Sequence, residues 1–100
     1  MNNEAVRACI EAIGILPSVR VNAPELARFA AETVYAAEIP IVEITLTIPG
    51  ALDVIGDIAN RYPDMAVGAG TVLDEDMARR ALESGARFLT SPGFIPEVVA

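Results

Sequence analysis

Val42-Glu43-Ile44-Thr45-Leu46-Thr47 is an apolar run with polar residues at every second position, and Gly68-Ala69-Gly70-Thr71-Val72 follows one helix-length later. A period of two places Glu43, Thr45 and Thr47 on one face of a strand. The interleaved Ile41, Val42, Ile44 and Leu46 are apolar enough that both faces are expected to be covered, as in a parallel α/β sheet. The second stretch is a short strand that runs into a Gly-Thr turn. An acid on one covered strand, beside a backbone-donor turn at the end of the next, suits a small anionic ligand.

Working outward, strands and helices alternate. Asn3 to Gly14 carries Val6, Cys9, Ile10 and Ile13 at helical spacing, with Asn3 as cap and Gly14 as stop. Ile15 to Val21 reads as the first strand, and Pro17 is tolerated near its start. Asn22-Ala23-Pro24-Glu25 opens a helix with a polar cap, a first-turn proline and an acid at the positive end. Its expected buried stripe is Leu26, Phe29, Ala30, Thr33, Val34 and Ala37. Pro40 to Leu46 is the second strand. The helix after Pro49-Gly50-Ala51 turns Leu52, Ile55, Ile58 and Ala59 inward, and Tyr62-Pro63-Asp64 ends it. Met65 to Ala69 is the third strand. Asp74-Glu75-Asp76 caps a helix with Met77, Ala78, Ala81 and Leu82 on one face, closed by Gly85. Ala86 to Thr90 is the fourth strand, Ser91-Pro92-Gly93 its exit turn, and Pro96 starts a further helix.

This α-β-α-β-α-β-α-β order implies parallel β-α-β units with right-handed crossovers. Residues 1–100 read as one β/α domain, with no linker or low-complexity segment. Periodicity allows either a small open sheet covered on both faces or half of an eight-stranded β/α barrel. In both, ligands sit at the carboxyl ends of the strands. The exits at Arg20-Val21-Asn22, Thr45-Leu46-Thr47, Gly70-Thr71 and Ser91-Pro92-Gly93 are therefore expected to cluster.

Composition narrows the function. The net charge is −7, and the seven basic residues are scattered. Nucleic acid and anionic membrane surfaces both call for a clustered basic face, so neither is an expected partner. No apolar run is long enough to span a bilayer. Met1-Asn2-Asn3-Glu4 has no basic residue, so no secretory leader is expected and a cytoplasmic setting is the default. The single Cys9 excludes an internal disulfide and fits a buried structural thiol. There is no His, and no ligand cluster for a metal, so neither metal nor cofactor is expected. All seven basic residues are Arg. A Schiff-base nucleophile must be an amine, and here only the α-amino group qualifies.

Glu43 is the foremost candidate for catalysis. Removal from water disfavours a carboxylate's charged form, which suits it to proton transfer, although a structural pair with an Arg is the alternative. Thr45 and Thr47 extend a polar file from it, yet threonines are also good strand formers. The glycines of Gly68-Ala69-Gly70-Thr71 let backbone approach a ligand, although such glycines also serve simple turns. Spacing rules out a Rossmann or P-loop signature. Arg20 can hold an anionic ligand or neutralise Glu43.

Four segments together carry a resemblance: Pro17-Ser18-Val19-Arg20, Val42-Glu43-Ile44-Thr45-Leu46, Val67-Gly68-Ala69-Gly70-Thr71-Val72-Leu73, and Gly85-Ala86-Arg87-Phe88 with Ser91-Pro92-Gly93. In order and in register, they resemble the bacterial KDPG/KHG aldolases, which act on 2-keto-3-deoxy-6-phosphogluconate and 4-hydroxy-2-oxoglutarate. The resemblance implies the N-terminal half of a (β/α)8 barrel, four parallel strands preceded by a short helix. It implies class I aldol cleavage, in which a lysine amine condenses with the ketone and pyruvate and an aldehyde are released. It also implies a pyruvate-containing 2-oxo acid as substrate and a homo-oligomer, a trimer at full length. By resemblance Glu43 shuttles protons and Thr71 helps bind the pyruvate carboxylate, with Thr45, Thr47, Gly70 and Arg20 around it. Thr47 stands where many members carry a carboxylate-clamping arginine. The lysine and main phosphate loops belong to the family's second half, so these 100 residues are not expected to turn over substrate alone. The alternative is a non-catalytic, self-associating half-barrel that binds a small 2-oxo acid or nothing.

Overall fold

The computed structural model describes residues 3–14 and 16–91. Its elements are α1 (Asn3–Ile13), β1 (Ser18–Val19), α2 (Pro24–Ala36), β2 (Ile41–Thr45), α3 (Ala51–Arg61), β3 (Ala66–Gly70), α4 (Glu75–Ser84) and β4 (Phe88–Leu89). The side chains of Asn3, Cys9 and Ile13 lie outside the described residues. So do Ile15, the Pro92-Gly93 part of the exit turn and the helix expected from Pro96.

The four strands form one parallel sheet in the order β1-β2-β3-β4. This order decides between the two architectures. A doubly wound sheet reverses direction once, which places helices on both faces. Here every crossover steps the same way, so right-handed connections stack α2, α3 and α4 on one face. That is half of a β/α barrel.

The core confirms the sidedness. Val19, Val42, Ile44, Val67 and Ala69 point to the helices and pack with Ala27, Ala31, Val54, Ile55, Ile58, Ala78 and Ala81. Each fully buried Val or Ile stabilises by about 1.5–3 kcal/mol. The residues between them, Ser18, Glu43, Gly68 and Phe88, are in register across the sheet and face the other way, into the half-barrel. Helix α1 meets β4 in a groove lined by Val6, Ile10, Arg87 and Phe88.

Strand limits differ from the sequence reading for identifiable reasons. The β1 ladder covers only Ser18–Val19. Pro17 has no N–H to give, but its carbonyl accepts from the Glu43 N–H at 2.8 Å. Strand β4 is similarly short, yet Arg87 N–H donates to Val67 and Thr90 N–H to Ala69 on either side of it. The α2 stripe is a correction. Phe29 is 70% exposed and Leu26 is 51% exposed, while the fully buried positions are Ala27 and Ala31. Thr33 and Ala37 are exposed, and Ala30 and Val34 are partly buried. Alanines let the helix lie close on the sheet, and that approach chose the face. On α4, Leu82 is likewise exposed and Ala78 and Ala81 are buried.

Candidate functional site

The site forms where β2 and β3 end. Glu43, on the third residue of β2, is 6% exposed, and Thr45 is 1% exposed. Opposite them on β3 stand Gly68 and Gly70, in register with Glu43 and Thr45. Both glycines face the inside of the half-barrel, so β3 offers a bare strip of backbone there. Its neighbours fill the strip from either side. The Glu43 carboxyl lies directly over the Gly70 Cα, and the Phe88 ring lies over the Gly68 Cα, each where a Cβ would otherwise stand. Side chains from β2 and β4 thus converge on the glycines between them.

Next to the acid stands a row of hydroxyls. Thr45 Oγ1 lies 2.8 Å from Thr71 Oγ1 and 3.2 Å from Thr47 Oγ1. Thr71 follows β3 with φ of +60°. That left-handed conformation is rare for a β-branched residue and costs on the order of 1–3 kcal/mol. Thr45 is well placed to hold it there through the shorter contact.

Glu43 is a nearly buried acid on an otherwise mostly apolar strand. Among the described residues no hydrogen bond or ion pair reaches its carboxyl group, and none joins it to Arg20. Glu43 keeps 6% of its surface, and no fully buried side-chain oxygen among the described residues is left unpaired. The neutralising role considered for Arg20 is therefore not the one observed. Arg20 is exposed just past β1, two residues on from inward-facing Ser18, at the same end of the sheet as the threonines. The Ser91 exit reaches the same end through Thr90, whose carbonyl accepts from the Val72 N–H at 3.0 Å.

The structure thus brings Glu43, Thr45, Thr47, Gly70 and Thr71 together and leaves Arg20 at the rim. Phe88 is the member that sequence reasoning did not single out for the site. Its signal was a bulky residue set against a glycine once the strands are placed in register. Among the described residues no group of three acidic, His or Cys side chains is placed to hold a metal ion, and no helix is long and apolar enough to cross a membrane. A groove of about 430 Å³ lies between α3 and α4 and is lined by Leu46, Ile48, Leu52, Met77 and Arg80 rather than by the acid.

An acid and hydroxyls at the carboxyl ends of parallel strands, with α2, α3 and α4 on one side, define the candidate site of a β/α-barrel protein. Comparison with known proteins gives it a family. The model of the KDPG and KHG aldolases matches residues 6–100, and the chain belongs to that family. It is 35% identical over 91 residues to the 2-dehydro-3-deoxy-phosphogluconate aldolase of Treponema pallidum, covering 91% of this chain and 43% of that protein. It is 37% identical over 79 residues to the KHG/KDPG aldolase of Escherichia coli, covering 79% of this chain and 37% of that protein. Among solved structures, the Legionella pneumophila KDPG aldolase, with pyruvate captured at low pH as a covalent carbinolamine intermediate, superposes with a TM-score of 0.76 and 33% identity. That match covers 84% of this chain and 41% of the other. The chain thus spans about two-fifths of the length of these relatives.

Proposed function

We propose that this chain supplies the acid/base and carboxylate-binding half of a class I aldolase site. The substrate would be a 2-oxo acid of the KDPG or KHG type, cleaved to pyruvate and an aldehyde. The observation that carries this is Glu43, 6% exposed, with its carboxyl seated on Gly70 beside the Thr45–Thr71 hydroxyl pair. In this reading Glu43 takes and returns the protons that move between substrate oxygen and carbon. Thr71 donates its hydroxyl to the pyruvate carboxylate, and Arg20 adds charge at the rim. The carbinolamine in the Legionella relative is an adduct of an amine with a ketone, and this sequence, whose basic residues are all Arg, has no side-chain amine to form one. In this reading a side-chain amine from outside these 100 residues forms the adduct. A homo-oligomer and a cytoplasmic, metabolic setting belong to the same reading.

Titration with pyruvate, followed by backbone amide shifts, tests it. Shifts centred on Glu43, Gly70 and Thr71 are expected in the low-millimolar range, about the affinity of a few hydrogen bonds. Shifts confined to the α3–α4 groove, or none up to roughly 50 mM, would reject the reading.

A further inference from the structure

The three threonines do more than share a face. A hydroxyl has one proton to give. Thr47, Thr45 and Thr71 make a chain of three hydroxyls joined by two contacts, at 3.2 Å and 2.8 Å. Two contacts use two protons and one remains, at Thr71, at Thr47, or at Thr45 when Thr45 accepts from both neighbours. Thr45 is the middle member and is 1% exposed. With a single proton it can donate to at most one neighbour, and it can accept from either or both.

An anion at Thr71 removes this freedom. To bind a carboxylate, Thr71 must donate outward. The 2.8 Å contact then requires Thr45 to donate to Thr71, and the 3.2 Å contact requires Thr47 to donate to Thr45. Each bond polarises the next, so the outermost proton is presented more strongly than by an isolated hydroxyl.

We propose that Thr47, Thr45 and Thr71 form a directional hydroxyl relay that ends on the carboxylate of a bound 2-oxo acid. Thr71 alone touches the ligand. Thr45 and Thr47 are positioning residues that act through it. This assignment rests on the aldolase-type reading of the site. It gives Thr47 a role that needs no charge and no contact with the ligand.

The test uses the 100-residue chain with pyruvate as the probe, and compares Thr45→Val, Thr45→Ser, Thr47→Val and Thr71→Val, each checked for an intact amide spectrum. The relay predicts that Thr71→Val abolishes saturable binding. It predicts about a tenfold weaker dissociation constant for Thr45→Val, about threefold for Thr47→Val, and a value within about twofold of wild type for Thr45→Ser, which keeps the hydroxyl. Thr47 is exposed in a turn, so a merely structural role for the threonines would leave its variant unchanged. Should Thr45→Val fail to fold, Thr47→Val decides the matter alone. Wild-type affinity in Thr47→Val, with binding still dependent on Thr71, overturns the relay and leaves the site reading standing. Failure of the wild-type chain to bind pyruvate overturns both.

Discussion

At the scale of single residues the unusual feature is an absence. Gly70 matters for the Cβ it lacks, because the Glu43 carboxyl occupies that space. Gly70→Ala forces the acid or the strand to move, and overpacking of a tight site costs about 1–3 kcal/mol. Shortening the acid removes the clash. The Gly70→Ala penalty, measured by urea denaturation, is therefore expected to shrink to a few tenths of a kcal/mol in a Glu43→Ala background. An equal penalty in both backgrounds would show that Glu43 does not sit there. Much of this site was legible from parity alone: alternation placed Glu43 and Thr45 on one face, and topology placed Thr71 at the exit beside them. The seat on Gly70 was not legible. It depends on the register of β2 against β3, which pairs Thr45 with Gly70, and no feature of either strand by itself encodes that pairing. The left-handed turn at Thr71 was hidden for a related reason. Sequence rules assign such a conformation to Gly or Asn, and here a tertiary hydroxyl contact overrides them.

At the scale of elements, the helix ends give two predictions of opposite sign. Asp74 caps α4 by accepting from the Met77 N–H at 2.8 Å. Asp74→Ala leaves that donor to water and is expected to lower stability by about 1 kcal/mol. Glu38 ends α2 in a left-handed conformation with φ of +65°, and its side chain is exposed. Glycine adopts that conformation without strain, so Glu38→Gly is expected to raise stability by about 0.5–1 kcal/mol. Both are read from the midpoint of chemical unfolding, and a loss on Glu38→Gly would mean that the Glu38 side chain contributes more than its backbone costs. Asp74 was visible in the sequence because a cap is a local feature. Glu38 was not, since nothing in its neighbours marks it as the residue past the last turn. The same divide explains α2. Its apolar residues spread around the helix, so Leu26 and Phe29 looked like the core. The sheet instead accepted the alanine side, which allows the closest approach, and that preference appears only when the partner surface is known.

At the scale of the whole molecule, the sheet order leaves β1 and β4 as edges. In a closed barrel each would pair with a further strand, and an unpaired edge invites another chain. These edges are short, two residues in each ladder, so each offers few hydrogen bonds and any association is weak. The net charge of −7 also sets copies against one another. Edge pairing favours association and charge opposes it, but only the charge term is screened by salt. The 100-residue chain is therefore expected to self-associate in a manner that depends on both concentration and salt. Light scattering at about 0.5 M salt should give a mass that rises above 10.5 kDa with concentration, falling towards the single-chain value near 0.02 M. A salt-independent oligomer would place the contact on an apolar surface such as exposed Leu26 and Phe29 instead of the edges. A monomer at every salt concentration would mean that the edges are protected against pairing.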